Sequence, residues 1–226
     1  DFHKRMLKLL ETSTVSYCGE LKLDGLAISV TYEKGRFVQA VTRGDGKVGS
    51  DVTQNLKTIK MLPLRLNTKD VPDVLEVRGE VFLPKAAFEK MNQERSQLDL
   101  PLWANARNAA AGSLKLLDPK EVAKRSELSV VFYGLATQGK ELPKTQYEVH
   151  QYLADIGLPT PCTFLKPYGE FTSLARLYGV DDIMHFASQV ARFRDALPFA
   201  IDGVVIKLDN LSAFEMLGTT GKHPRA

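Results

Sequence analysis

Histidine, cysteine and tryptophan are scarce in this chain of 226 residues, numbering four, two and one. Cys18 and Cys162 lie far apart with no C-x-x-C spacing, so neither a zinc ribbon nor a disulfide framework is indicated. His3, His150, His185 and His223 form no H-E-x-x-H pattern, and each is expected on a surface or a helix rather than as a metal ligand. The metal ligands, if there are any, cannot be named from these residues. Two free thiols fit a reducing compartment, and the expected location is the cytoplasm. No apolar run approaches the ~20 residues of a membrane span, so no membrane association is expected. A dominant charge is missing too. Thirty basic residues against 27 acidic leave +3, too balanced to mark a dedicated nucleic-acid binder.

What is present is patterned. "DFHKRMLKLL" carries Phe2, Met6, Leu9 and Leu10 on one helical stripe and does not read as a secretory leader. Residues 17–43 then read as strands with a turn at Lys34-Gly35, which implies antiparallel pairing. "VLEVRGEVFL" (74–83) is a strand ending at Pro84, followed by a helix through "KAAFEKMNQER". "NARNAAAGSLKLLDP" is expected to be helical until Asp118-Pro119. "LSVVFYGLA" (128–136) and "AIDGVVIKLD" (200–209) read as strands. Thr145-x-x-Glu148 predicts a capping box opening a helix that stops near Gly157, and residues 181–197 predict a longer helix. Clustered strands with helices between the clusters point to an α+β domain with antiparallel sheets and flanking helices.

Three stretches carry chemistry. In "CGELKLDGLAISV" the apolar positions change parity at Asp24-Gly25, so one strand cannot run through; a glycine tolerant of positive φ is expected to make the corner. "AIDGVVIK" repeats the device with Asp202-Gly203 and Lys207. The strand 74–83 alternates Glu76, Arg78 and Glu80 with apolar residues, which by itself describes a solvated face. A single lysine among apolar neighbours commonly snorkels. Two such strands with an acid-Arg-acid strand suit instead a pocket for an anionic nucleotide. A lysine acting there as a nucleophile must be neutral, and with an ordinary pKa near ~10.4 deprotonation at pH ~7.5 costs about 4 kcal/mol. Nearby cations lower that cost; Glu20 and Asp24 raise it. "GDGKVG" (44–49) fits G-x-G-x-x-G, but a dinucleotide fold also needs a parallel βαβ unit, and the strands before it read as hairpins.

"ELKLDGLAIS" fits the K-x-D-G motif of covalent nucleotidyltransferases. With "TRGDGKVGSDVTQNLKTI", "LEVRGEVFLP", "NARNAAAGSLKLLDP" and "IDGVVIK", in that order, nearly the whole chain resembles the adenylation domain of bacterial NAD⁺-dependent DNA ligases. The resemblance implies one domain over residues 1–226 with a covalent-nucleotidyltransferase (ATP-grasp-like) fold. It implies Lys22 as the nucleophile that takes AMP from NAD⁺ and releases nicotinamide mononucleotide. AMP then passes to the 5′-phosphate of nicked double-stranded DNA before sealing, in a monomeric enzyme using Mg²⁺. It further implies Glu20 at the adenine amino group, Arg43 and Glu80 at the ribose and phosphate, Tyr133 stacked on adenine with Val205 across from it, and Lys207 at the α-phosphate. Asp24, Asp202, Arg107 and Arg194 are implied as substrate or DNA-phosphate contacts.

The chain departs from the family at Asn105-Ala106-Arg107-Asn108, where Asn-Pro-Arg-Asn is usual, and at Lys115, where arginine is common. The family's nicotinamide-binding subdomain before Asp1, its last lysine motif after Ala226, and its OB-fold, zinc-finger, helix-hairpin-helix and BRCT modules are expected outside this sequence. An excised fragment is therefore expected, weakly active or inactive alone. An ATP-using ligase or capping enzyme, a non-catalytic nucleotide-binding or DNA-scaffolding module, and a Rossmann oxidoreductase are the competing readings.

Overall fold

The computed structural model describes residues 1–44, 48–68, 70–116, 120, 127–137, 142–165, 171–220 and 223–226. In it the parity change at Asp24-Gly25 is a change of sheet. Strand β1 (Tyr17–Leu23) ends there and β2 (Leu26–Glu33) starts in a second sheet. That sheet continues with β3 (Arg36–Thr42), β4 (Val74–Phe82) and β5 (Ser129–Leu135), in the order β3-β2-β4-β5. β1 is the middle strand of the other sheet, between β6 (Leu174–Leu177) and β7 (Ile201–Leu208). Every paired neighbour in both sheets is antiparallel. The α+β expectation holds, and a parallel dinucleotide-binding fold is excluded for "GDGKVG", whose residues 45–47 lie outside the described ones.

Gly25 is needed for space rather than for a left-handed backbone, which corrects the sequence-based reason. A Cβ on it would stand 2.4 Å from the Val81 carbonyl oxygen and 2.8 Å from Glu80 Cγ. The missing side chain lets the corner lie against β4. Gly25→Ala is expected to cost about 2 kcal/mol by overpacking, read by urea denaturation; an unchanged midpoint would contradict the close approach.

The helices are α1 (Phe2–Leu9), α2 (Thr53–Leu56), α3 (Lys85–Gln97), α4 (Ala106–Leu114), α5 (Gln146–Asp155), α6 (Pro161–Phe164), α7 (Val180–Phe193) and α8 (Leu211–Leu217). A short hairpin joins β8 (Thr219–Thr220) to β9 (His223–Pro224). Thr145 caps α5 as expected, its hydroxyl accepting from Glu148 N while Glu148 reaches back to Thr145 N. The helix expected over 181–197 ends at Phe193 and tightens into a 3-10 turn, Arg194–Ala196. Leu197 is extended because it precedes Pro198, whose ring disfavours a helical residue before it. Helix α4 stops at Leu114; Asp118-Pro119 lie outside the described residues.

Two apolar cores result. Val30, Tyr32, Leu75, Val77 and Phe132 of the four-stranded sheet pack with Leu56, Leu114 and Leu153 from helices. Tyr17, Leu21 and Ile201 of the three-stranded sheet pack with Met6, Phe186 and Phe199. Phe82, at the end of β4, belongs to the second core, with its ring centroid 5.2 Å from Phe199 and 5.5 Å from Phe164. Alternation along β4 puts Glu80 on the same side as Phe82. The expected solvated face is therefore graded: Arg78 is exposed, Glu76 half-buried and Glu80 buried, because the second sheet closes over that end.

Candidate functional site

Antiparallel register places the site residues of β1 and β7 together. Cys18 faces Lys207, Glu20 faces Val205 and Lys22 faces Gly203, so these side chains share one side of the sheet. The register then slips between Lys22 and Leu23, where Gly203 takes φ +143°, a backbone suited to glycine. This bulge brings Asp202 to Lys22, with Lys22 Nζ donating to Asp202 Oδ2 at 2.7 Å. Both side chains remain open to water, at 50% and 38% exposure. Lys22 holds the Asp202 carboxyl below its ordinary range by that hydrogen bond.

Asp24, just past β1, accepts from Arg107 Nη1 at 3.3 Å. Arg107 sits in the first turn of α4, where the Asn105 side chain accepts from Asn108 N at 2.7 Å. Asn105 thus caps the helix and holds the turn, with alanine at position 106 inside the capped turn.

Glu20 is 3% exposed and lies beneath this surface. Lys207 Nζ donates to its Oε2 at 2.8 Å, and Gln146 Nε2 donates to Oε1 at 2.8 Å. His150 Nε2 lies 3.2 Å from the same Oε1. Burial alone would push the Glu20 carboxyl up, but Lys207 and His150 outweigh it and hold it at about 2. The acid is a fixed anion at neutral pH.

From the other sheet comes Tyr133. The register of β4 against β5 slips at Arg78/Gly79, leaving Tyr133 at the irregularity. Its hydroxyl donates to Glu80 Oε2 at 3.2 Å, and Lys207 Nζ stands 5.2 Å from its ring centroid. Burial, chiefly, and the adjacent Glu80 raise the Tyr133 phenol well above its ordinary value. Arg43, just beyond β3, is exposed, and its charge acts on Tyr133; that of Arg194 acts on Asp202. The structure therefore gathers Glu20, Lys22, Asp24, Glu80, Arg107, Tyr133, Asp202, Val205 and Lys207 where the sheets meet, with Arg43 and Arg194 acting through charge.

Burial pushes Glu80 up to about 7, against the Tyr133 hydroxyl and the Arg107 and Lys22 charges. A raised acid stabilises the fold fully only below its unfolded value of 4.5, and that stability is lost as pH rises to about 7. Glu80→Gln is expected to remove a pH-dependent loss of about 3 kcal/mol across that window. Denaturation midpoints for both proteins at several pH values check this; parallel curves would contradict it.

Sequence reasoning missed Gln146 and His150. Gln146 is buried beside its helix cap, and His150 is only 2% exposed, one turn further along α5. Their register on a helix was legible from the capping box, but not that this helix packs against a residue 126 positions earlier.

Cys18, Glu20 and His150 offer donor atoms within 4.8 Å of one another. Lys207 already holds Glu20, and burial raises the Cys18 thiol far above its ordinary value, so the set favours an ion-paired carboxylate over a metal-bound thiolate. Nor do Asp24 and Asp202 make an oxygen cage for Mg²⁺, since they are turned to Arg107 and Lys22.

An aromatic ring beside a fixed carboxylate, ringed by cations on two antiparallel sheets, is the equipment of a nucleotide-handling α+β domain. The family described as the NAD-dependent DNA ligase adenylation domain matches residues 1–226, and the chain belongs to that family. Among its relatives, the DNA ligase of Protochlamydia amoebophila (strain UWE25) is 46% identical over 225 residues, which take in all of this chain and 32% of that protein. The DNA ligase of Carboxydothermus hydrogenoformans is 44% identical over 226 residues, and that of Bacillus cereus (strain AH820) 43% over 225, with the same coverage. The chain spans about a third of the length of the curated relatives it matches. Among the described residues no helix is long and apolar enough to cross a membrane.

Proposed function

We propose that residues 1–226 form one adenylation domain, of covalent-nucleotidyltransferase fold, in an NAD⁺-dependent DNA ligase. The carrying observation is Lys22, exposed at a bulge, hydrogen-bonded to Asp202 and on the same strand face as Glu20 and Lys207. In this reading adenine lies against Tyr133, with Val205 across from it and its amino group at Glu20. Arg43 and Glu80 hold the ribose and phosphate region, and Lys207 neutralises the α-phosphate.

Lys22, half open to water, releases one proton to solvent, while Asp202 holds Nζ in place. The freed Nζ lone pair forms the bond to the adenylyl phosphorus. The pyrophosphate P–O bond breaks, and its electrons leave with nicotinamide mononucleotide. In this reading Arg107, held by Asp24, and Arg194 meet phosphates of a nicked duplex that takes the AMP next. When bound, Mg²⁺ would add charge neutralisation; with no oxygen cage on these side chains, it would rely on phosphate and water. The enzyme is proposed to act as a monomer in the cytoplasm, with nicked DNA as its partner.

The test is intact mass spectrometry of the full-length protein after exposure to NAD⁺ or to ATP. One added AMP from NAD⁺, mapped to Lys22, is expected. No adduct, an adduct on another residue, or one formed from ATP alone would overturn the reading.

A further inference from the structure

His150 is a buried polar residue in which both ring nitrogens lack an aligned hydrogen bond, although Nε2 lies 3.2 Å from Glu20 Oε1. An unsatisfied group this deep costs stability and calls for an explanation. Its place supplies one. Helix α5 presents Gln146 and His150 one turn apart, so both side chains fall on the same face, and both point at one oxygen of Glu20.

A carboxylate accepts at about four lone-pair positions and donates at none. Lys207 takes one on Oε2, Gln146 takes one on Oε1, and His150 stands over the other on Oε1. One position, on Oε2, is left. With Glu20 fixed and ionised, a ligand edge arriving there must donate a hydrogen. A 6-amino purine can do so, whereas a 6-oxo purine presents a second acceptor.

We infer that His150, as the Nε2–H tautomer, is a positioning residue that orients Glu20 so its one open acceptor position selects a 6-amino purine over a 6-oxo purine. This rests on the reading of Glu20 as the base-contacting acid. The long, misaligned contact tightens when a base docks and Glu20 settles against it, as hydrogen bonds in empty sites commonly do. Gln146 anchors Oε1 from the start of the helix, and it also donates to the Tyr133 carbonyl at 2.8 Å. One side chain thereby ties the carboxylate to the strand that carries the stacking ring.

The experiment uses the full-length protein with His150→Leu, which removes the donor, and His150→Gln, which keeps one. Two ratios are measured: rates of lysyl-AMP formation from NAD⁺ against its hypoxanthine analogue, and calorimetric affinity for AMP against inosine monophosphate. In His150→Leu both ratios are expected to fall about tenfold, through KM and affinity rather than the maximal rate. His150→Gln should restore most of the discrimination. Unchanged ratios in His150→Leu, or equal losses for both bases, would overturn the inference while leaving lysine adenylation standing. Failure of the wild-type protein to adenylate Lys22 would sink the proposed function, and the binding ratio would still decide the role of His150.

Discussion

Lys22→Arg in the full-length protein is expected to abolish the AMP adduct and to lower nick sealing by about 10⁴-fold or more. Arginine keeps a positive charge beside Asp202, so the electrostatics of the corner survive. What it lacks is an amine that can be deprotonated and attack phosphorus. The fold should barely register the change, because the Lys22–Asp202 pair is half open to water and such pairs contribute no more than ~1 kcal/mol. Loss of the adduct with an unchanged melting transition is therefore the discriminating pair of results. Residual adduct in Lys22→Arg would move the nucleophile elsewhere. A collapse in stability would mean that Lys22 is structural.

The second large effect concerns the floor of the site. Lys207→Met removes the only ammonium hydrogen-bonded to Glu20 among the described residues and leaves a buried anion held by Gln146 and His150. Removing one partner of a buried pair costs more than the pair is worth, because the survivor is stranded without water. About 3 kcal/mol is expected, at the low end for such pairs because Lys207 keeps 24% of its side chain exposed. The loss should deepen with pH. Without Lys207 the Glu20 carboxyl rises from about 2, so a mildly acidic medium protonates it and returns part of the stability. The double variant Lys207→Met, Glu20→Gln should recover most of the loss at neutral pH, as read by denaturation of the four proteins of the cycle. If the double variant loses the sum of the two single losses, the pair carries no coupling. Adenylation should be lost in both Lys207 variants whatever their stability, since the phosphate loses its cation.

Much of this site was legible because its residues mark local devices. Asp24-Gly25 and Asp202-Gly203 are corners, and corners can be read from neighbouring residues. Even there the reason differed at each glycine: Gly203 uses a backbone with φ +143°, while Gly25 is present because β4 leaves no room for a Cβ. The alternating charges of β4 were legible as a face, but burial of Glu80 was not, since that depends on Phe82 being drawn into the core of the other sheet. β6 was missed as well. Its four residues are too few for a period to show, and they become a strand by pairing with β1.

By itself the sequence determined the α+β class, the strands that carry Lys22 and Lys207, the cap of α5, and the family's motifs in order. These follow from side-chain periods and short-range hydrogen bonds, which act between residues a few positions apart. Only the tertiary structure decided that Gln146 and His150 lie under Glu20, that the bulge delivers Asp202 to Lys22, and that Glu80 is buried enough to titrate near neutrality. Burial and charge pairing arise between segments distant along the chain, and a one-residue slip in register reverses which side chains meet.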